Sequence, residues 1–365
     1  MAINLFTSRK SSSADNTLLR SAESRVVINR AGSALVSPRT VCQEISDLLL
    51  PDLGVALTHK IGGRALGKNG NVAETAKYLG EAIRIISGGR AKKIFTPWNE
   101  FTRFNWSNTF SWVVGGGVVE GKFGEQLIPE TAKVLGENYR VELATNRRWA
   151  GTVGTAEFLP VSAFSGRRES INFISLDLGG SSLKLSIMRV NGNTGKALSG
   201  QPFSHLKVID RPADIRNVWE IPLEETKKDA EKTCDWIARS AAKLILQANR
   251  AKIKLSSYIV MAVPFEVNEQ GERVSGGIYP FPSIADGGFP LRQAIGERVS
   301  KYLNDALYSH LTQNSPNFQE YQLSIDNDAI IAAAGSLPDR RIEKMGYIGL
   351  GSGVGGALFL DPVIN

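Results

Sequence analysis

Two glycine-rich turns, each between apolar stretches rich in β-branched residues, constrain the fold of this sequence most. The first turn, 179–182, separates the apolar stretches 171–178 and 183–190. The second, 349–356, contains five glycines in eight residues between two further apolar stretches. Because glycine lets backbone N–H groups come close to an anion, each segment predicts a β-hairpin whose tip can cradle phosphate oxygens. A plain glycine turn, or a bulged hairpin for the second segment, is the structural alternative.

The rest of the chain alternates between helical and strand patterns. Apolar residues recur at helical spacing in four segments: 74–86, 123–135, 223–248 and 291–307. Strands are predicted at 112–114, 171–178, 183–190, 258–263 and 321–325, with two more inside 346–360. A short helix is expected to begin at Asp328, and Pro129 is expected in the first turn of its helix or at a break. This alternation predicts an α/β architecture with sheets flanked by helices.

Composition and charge exclude several classes of protein. With 365 residues, 42% of them hydrophobic and 22% charged, the chain can form two domains and has no apolar run that could span a bilayer. The net charge of +7 comes from dispersed basic residues, and pairs such as 92–93 and 147–148 lack interleaved aromatic residues, which favours solvated surface over nucleic-acid binding. Cys42 and Cys234 lack metal-ligand spacing. The first 25 residues contain no apolar signal segment, so we expect a cytoplasmic protein.

Acidic and hydroxyl side chains accompany the first glycine turn. Asp177 comes at the end of the predicted buried strand, and Ser181 and Ser182 follow the two glycines. A carboxylate at this point can hold Mg²⁺ directly or through water, and the hydroxyls add donors for phosphate. A strand with an aspartate at its edge is the alternative.

Two carboxylates and an amide, Asp326, Asn327 and Asp328, follow another predicted strand and precede a helix of small residues. Ligands of α/β folds bind at such points, where one carboxylate can accept a proton from a substrate hydroxyl while the amide orients it. Helix capping by Asp326 or Asn327 is compatible with the same pattern. The segment 115–117 is a third glycine turn, where an adenine ring could lie against the backbone; a strand-to-helix turn explains it equally well.

Together these segments resemble the ROK family of sugar kinases and repressors, within the hexokinase and actin superfamily. Residues 177–184 resemble the family's first phosphate motif, 349–356 its second, and 327–329 the Asn-Asp-Ala that carries the catalytic base. Residues 262–271 are similar to its VPGPVD stretch, and 115–117 with 150–156 to its adenosine motif.

The resemblance implies ATP and Mg²⁺ as cofactors and a role for each matching residue. The implied roles are Asp328 as catalytic base, Asn327 and Asp326 as sugar ligands, Asp177 as Mg²⁺ ligand, Gly115, Gly116 and Gly117 as adenosine contacts, and Gly179, Gly180, Ser181, Ser182, Lys184, Gly351, Ser352, Gly353, Gly355 and Gly356 as phosphate contacts.

The order of the motifs differs from that of the family, since the adenosine segment comes last there and first here. This predicts a circularly permuted, two-lobed fold of the actin and hexokinase type, which is ribonuclease H-like. We expect a flexible segment at 1–25, a large lobe from 26–164 and 326–365, and a small lobe from 165–325.

Departures from the family pattern bear on the substrate. Ser181 and Ser352 replace threonines but keep the hydroxyl, and Phe265 stands where a glycine is usual, so we expect it to narrow the sugar cleft. The family's zinc motif and its glutamate and Gly-His sugar ligands have no counterpart. The histidines are isolated and are expected to be surface or packing residues: His59, His205 and His310.

The function implied by the resemblance is ATP-dependent phosphorylation of a hydroxyl of a hexose or related sugar. Sugar and ATP are then the expected partners, with a homodimer as a possible assembly and no nucleic acid or membrane. An actin-like or regulatory nucleotide-binding protein without phosphotransfer, and a degenerate kinase that binds ligand without chemistry, are the alternatives.

Overall fold

The computed structural model describes residues 27–28, 70–87, 108–164, 170–192, 197–198, 203–268, 270–275, 278–308, 321–336, 344–351 and 354–360. These residues form two compact units. Unit 1 contains the described residues up to Gly154 and those from Ala329 onwards, and unit 2 contains those from Thr155 to Asp328. The segment 1–25, which the sequence predicts to be flexible, lies outside the described residues.

Unit 1 is built on a mixed five-stranded sheet. Its strands are β1 (Val27–Ile28), β2 (Ser111–Gly115), β3 (Arg140–Leu143), β11 (Lys344–Leu350) and β12 (Val354–Leu360). They lie in the order β1-β12-β11-β2-β3. β11 is antiparallel to β12 and parallel to β2, β1 is antiparallel to β12, and β3 is parallel to β2. The interior position of β2, between β11 and β3, agrees with its apolar sequence, since Trp112, Val113 and Val114 are all buried.

Helices cover this sheet. Those of unit 1 are α1 (Val72–Ser87), α2 (Lys122–Leu135), α3 (Ala150–Gly154) and α6 (Asp328–Ala334), the last of which begins at the boundary with unit 2. α1 buries residues at helical spacing, including Leu79 and Ile83, and packs against α2. The expected position of Pro129 is wrong: it lies inside α2, which continues through it to Leu135.

The close approach of α3 to the end of α6 explains Gly154 and Gly335. A Cβ added at Gly154 would lie 1.7 Å from the carbonyl oxygen of Ile331, and one at Gly335 would lie 2.4 Å from the carbonyl oxygen of Ala150. Real side chains cannot approach a backbone so closely, so only glycine permits these two chain segments to pack together.

Unit 2 contains a second mixed five-stranded sheet. Its strands are β4 (Ser170–Leu178), β5 (Ser182–Asn191), β6 (Phe203–Asp210), β7 (Leu255–Val263) and β10 (Gln322–Asn327). They lie in the order β10-β7-β4-β5-β6, with β4 antiparallel to β5, β5 antiparallel to β6, and β7 parallel to both β4 and β10. A short antiparallel pair, β8 (Glu266–Val267) and β9 (Arg273–Ser275), follows β7.

The core of unit 2 lies between one face of this sheet and two helices, α4 (Leu223–Arg250) and α5 (Leu291–Tyr308). Alternate residues of the central strands, such as Leu176 and Leu178, point into this core, as do Met261 and Val263 of β7. The intervening residues therefore lie on the opposite face of the sheet.

A buried carboxylate fixes the start of α4. Asp229 is 1% exposed, Arg216 Nε donates a hydrogen bond to it at 2.8 Å, and Lys232 Nζ forms an ion pair with it at 3.1 Å. Burial raises the pKa of Asp229, but the interactions with Arg216 and Lys232 outweigh this effect, so the pKa of the carboxyl lies below its ordinary value.

The two sheets share one pattern. In each, a central strand has two successive antiparallel strands on one side and two parallel strands on the other. In unit 2 the chain forms the central strand β4 first, then its antiparallel neighbour β5 and the antiparallel edge strand β6, and last the parallel pair β7 and β10. In unit 1 it forms the antiparallel edge strand β1 first, then the parallel pair β2 and β3, and last the central strand β11 and its antiparallel neighbour β12.

The prediction of a mixed α/β architecture is confirmed, as are the two glycine hairpins and the four long predicted helices. β3, β6 and the pair β8 and β9 are not in the sequence-based prediction. Among the described residues, no helix has both the length and the apolar character needed to cross a bilayer.

Candidate functional site

A row of charged residues crosses the sheet of unit 2 near the carboxyl ends of its parallel strands. Asp177 is paired in register with Lys184 on β5 and with Ala262 on β7, and Ala262 is paired with Asp326 on β10. Register partners point to the same face, so all four side chains lie opposite the hydrophobic core. Because strands are about 4.8 Å apart, the Cα atoms of Asp177 and Asp326 are about 10 Å apart, with only the methyl group of Ala262 between them.

The strongest contact in this row is an ion pair. Lys184 Nζ lies 2.6 Å from Asp177 Oδ2, and the two side chains are 17% and 6% exposed. Burying a charged group is costly unless it is paired, and here each of the two groups has the other as its partner. This ion pair lies at the base of the glycine hairpin, one residue pair before its tip.

The tip of the first hairpin is held by the protein at three points. The N–H of Gly179 donates to the carbonyl of Ser182 at 2.9 Å, and the N–H of Arg211 donates to the carbonyl of Ser181 at 2.9 Å. The hydroxyl of Tyr279 donates to the carbonyl of Gly179 at 2.8 Å. Ser181 itself is exposed. Burial raises the pKa of Tyr279, so this hydroxyl remains a donor.

The predicted Asp-Asn-Asp segment follows directly from the same sheet. Asp326 and Asn327 are both 4% exposed, and Asp328, the first residue of α6, is half-buried. The N–H of Asn327 donates to Asp326 Oδ1 at 2.8 Å, and Asn327 Nδ2 donates to the carbonyl of Phe265 at 3.2 Å. The amide thus ties the end of β10 to the loop after β7.

A second basic residue lies near this segment. Burial lowers the pKa of Arg292, and the negative charge of Asp326 opposes that change. The guanidinium also lies beside Gly271, because a Cβ added there would be 3.3 Å from Arg292 Nε.

In unit 1 the two other glycine segments lie side by side. Gly349 on β11 is in parallel register with Gly115 on β2, so both strands deliver their glycine turns to one edge of the sheet. Gly116 has a φ of 96° and its added Cβ would be 2.3 Å from the carbonyl oxygen of Leu350, so this position requires glycine. Around a Cβ added at Gly117 there is nothing within 4 Å.

The second hairpin has one strand on each side of the predicted glycine turn. Gly349 pairs with Gly355 and Ile348 with Gly356, so Gly351 begins the turn between β11 and β12. Ser352 and Gly353, the centre of the predicted phosphate turn, lie outside the described residues.

The structure therefore gathers the predicted residues into two groups. Asp177, the tip 179–182, Lys184 and the segment 326–328 belong to unit 2. The segments 115–117 and 349–356 belong to unit 1. The described residues contain no group of three or more His, Cys, Asp or Glu side chains that could hold a metal ion by themselves.

The prediction that Phe265 narrows a sugar cleft is wrong. Its ring is 2% exposed and belongs to the hydrophobic core of unit 2, where it packs 5.5 Å from the ring of Phe281. The loop after β7 turns this side chain inwards. His205 is exposed, and His59 and His310 lie outside the described residues.

Sequence reasoning missed Tyr279, Arg211 and Arg292. Each reaches the site from an element distant in sequence, and none belongs to a recognisable local motif. For Tyr279, a signal was available in the aromatic and proline-rich segment 278–283, a short distance before α5.

Comparison with known proteins gives little further information. No family model matches the sequence. No curated protein matches it. One of the similar solved structures is the crystal structure of the ethanolamine utilization protein EutJ from Carboxydothermus hydrogenoformans. The two sequences are 13% identical, the match covers 70% of this chain and 72% of that chain, and the TM-score is 0.33. Because identity and TM-score are both low, this similarity carries no information about function.

Proposed function

We propose that this protein is an ATP-dependent kinase that phosphorylates a hydroxyl group of a hexose or a related sugar. The observation that carries the proposal is the charged row of unit 2, where the Asp177–Lys184 pair and Asp326 share one register of the sheet. Phosphoryl transfer needs groups that neutralise a polyphosphate and a base for the attacking hydroxyl. The glycine tip 179–182 and Asp328 adjoin the two ends of this row.

Asp177 is the residue that would hold Mg²⁺. The ion pair that Lys184 makes with its Oδ2 at 2.6 Å would then be shared with the metal or released by it. Magnesium in phosphate sites takes one or two carboxylates and completes its shell with phosphate oxygens and water, so a larger acidic cluster is not needed. When bound, Mg²⁺ would neutralise charge on the transferring phosphoryl group.

The other residues of the site would act directly. In unit 2, Lys184 and the backbone of 179–182 would bind phosphate oxygens. In unit 1, the second glycine turn at Gly351, Ser352, Gly353, Gly355 and Gly356 would be a phosphate-binding segment. Asp328 would accept the proton of the sugar hydroxyl as its oxygen attacks the terminal phosphorus, while Asn327 and Asp326 position the sugar. The segment 115–117 would accept the adenosine, since the backbone at Gly117 has open space beside it.

We further propose that the fold is of the actin and hexokinase type with circularly permuted connectivity, and that the two units are its lobes. The support is the pattern shared by the two sheets. If the strand positions of the unit 2 sheet are numbered one to five in chain order, the chain of unit 1 occupies the equivalent positions in the order three, four, five, one, two. Joining the ends and reopening the chain between the second and third strands produces this relation without changing any strand pairing.

The experiment that tests the function is ADP release from ATP and Mg²⁺ over a panel of hexoses and amino sugars. We expect release to depend on one class of sugar. Asp328→Asn should lower turnover about 10²- to 10⁴-fold, the range for loss of a general base, with ATP affinity within about twofold of wild type. Asp305→Asn makes the same change at an exposed carboxylate of α5 and should leave turnover unaltered.

The alternatives predict different results. ATP binding without any sugar-dependent ADP release would support a nucleotide-binding protein without phosphotransfer. Wild-type turnover in Asp328→Asn would exclude Asp328 as the base, and an absence of ATP binding would remove the proposed function altogether.

A further inference from the structure

The first hairpin tip is oriented through its carbonyl groups. Tyr279 donates to the carbonyl of Gly179, which precedes the tip, and Arg211 donates to the carbonyl of Ser181, inside it. Both donors belong to segments distant from the hairpin in sequence. The orientation of the peptide groups in the tip is therefore fixed by hydrogen bonds from other segments of the chain.

The carbonyl of Gly179 and the N–H of Gly180 belong to the same peptide group. In a planar trans peptide these two groups point in opposite directions. A donor that holds the carbonyl on one side consequently aims the N–H to the other side. Tyr279 thus directs the N–H of Gly180 away from its own buried ring.

Tyr279 is itself held firmly. It is 0% exposed, and the guanidinium of Arg211 lies 4.9 Å from the centre of its ring. Arg211 is fixed in turn, since Nε donates to the carbonyl of Ile215 at 2.9 Å and Nη1 donates to Asn217 Oδ1 at 2.9 Å. A side chain so completely buried has no access to a ligand, so any effect it has on binding must pass through its neighbours, of which Gly179 is the one that its hydroxyl contacts.

We propose that Tyr279 is a positioning residue for phosphate: its hydroxyl presets the Gly180 N–H as a donor to a bound polyphosphate, and Arg211 holds the ring in place. This inference rests on the proposed nucleotide-binding function. It assigns to the loop 278–283 a role in phosphate recognition that no sequence motif records.

Tyr279→Phe removes the hydroxyl and keeps the ring, so it isolates the hydrogen bond. We expect affinity for ATP to fall about tenfold, the size of a weakened hydrogen bond to a charged group, while affinity for adenosine changes by less than about twofold. Calorimetry with ATP, ADP and adenosine measures both. A merely structural role would weaken all three ligands together or none.

Tyr302→Phe is the matched control. The Tyr302 hydroxyl accepts from Arg239 Nε at 3.0 Å on the outer side of α4 and α5, so the same chemical change there should leave binding of all three ligands intact. If Tyr279→Phe does not fold, amide exchange of the wild type gives the answer, because ATP should slow exchange of the Gly180 N–H.

The outcomes separate the two proposals. Wild type that fails to bind ATP overturns the proposed function. Wild type that binds ATP, together with a Tyr279→Phe variant of equal ATP affinity or an unprotected Gly180 amide, overturns the role of Tyr279 and leaves the proposed function intact.

Discussion

Replacement of Lys184 by methionine is the most direct test of the charged row. Methionine keeps most of the aliphatic stem of lysine and removes the ammonium group. The variant therefore leaves Asp177, whose side chain is 6% exposed, without its cation at 2.6 Å. We expect both the stability of unit 2 and the binding of phosphate to suffer.

The size of the effect follows from the geometry. Two unit charges 2.6 Å apart attract by about 6 kcal/mol at an effective dielectric constant of about 20. Desolvation of both groups offsets much of this attraction, but removal of one partner leaves the other as an unpaired buried charge. Since Lys184 is still 17% exposed, we expect Lys184→Met to cost about 3 kcal/mol, the lower end of the range for a broken buried pair.

Urea unfolding of four proteins measures the pair: wild type, Lys184→Met, Asp177→Asn and the double variant. The double variant should recover to within about 1 kcal/mol of wild type, because no charge is then stranded, while its affinity for ATP stays low. Lys301→Met, at an exposed position on α5, controls for loss of a surface charge. A Lys184→Met protein as stable as this control, or a cycle with no coupling between the two sites, would refute the reasoning.

Two further predictions concern stability. Asp229→Asn should lower the free energy of unfolding by about 1 to 2 kcal/mol at neutral pH, because the ion pairs with Arg216 and Lys232 are lost. Since the folded-state pKa of Asp229 is below its ordinary value, this contribution is complete above the unfolded pKa of about 4 and is lost as the pH falls through the folded pKa. The difference in stability between wild type and variant, measured by urea titration, should therefore narrow as the pH falls from 7 to 3, and a constant difference would contradict the assignment. Gly116→Ala should cost at least about 2 kcal/mol, through positive φ and the collision with the carbonyl of Leu350. Gly117→Ala, whose Cβ meets nothing within 4 Å, should be nearly neutral, and equal urea midpoints for these two variants would show that the close approach of β2 and β11 is wrong.

The strands around the glycine turns could be predicted closely, because a strand that is buried on both faces has a continuous run of apolar residues. β4 and β5 match the predicted stretches 171–178 and 183–190 to within one residue at each end. β6 gave no such signal, since it is an edge strand whose residues are mostly exposed. Four-residue β3 is too short to show a period.

The residues of the candidate site differ in the same way in how far the sequence predicts them. Residues carried by local motifs, such as Asp177 and Asp328, could be found from the sequence, because strand ends and helix starts have a local pattern. Tyr279 could not, because its contact with Gly179 joins residues about a hundred positions apart and depends on strand order. Phe265 was misjudged for a related reason: the direction of a side chain in a loop is decided by packing, here against Phe281.

The connectivity of unit 1 has a consequence for biosynthesis. β2 leaves the ribosome long before β11, its parallel neighbour, has been translated, whereas the described strands of unit 2 follow one another without interruption. The sheet of unit 2 can therefore assemble while β2 still presents an unpaired hydrophobic edge, the kind of surface that chaperones bind and that aggregates when they are scarce. Slow or chaperone-poor expression should thus harm the early translated part of this polypeptide first.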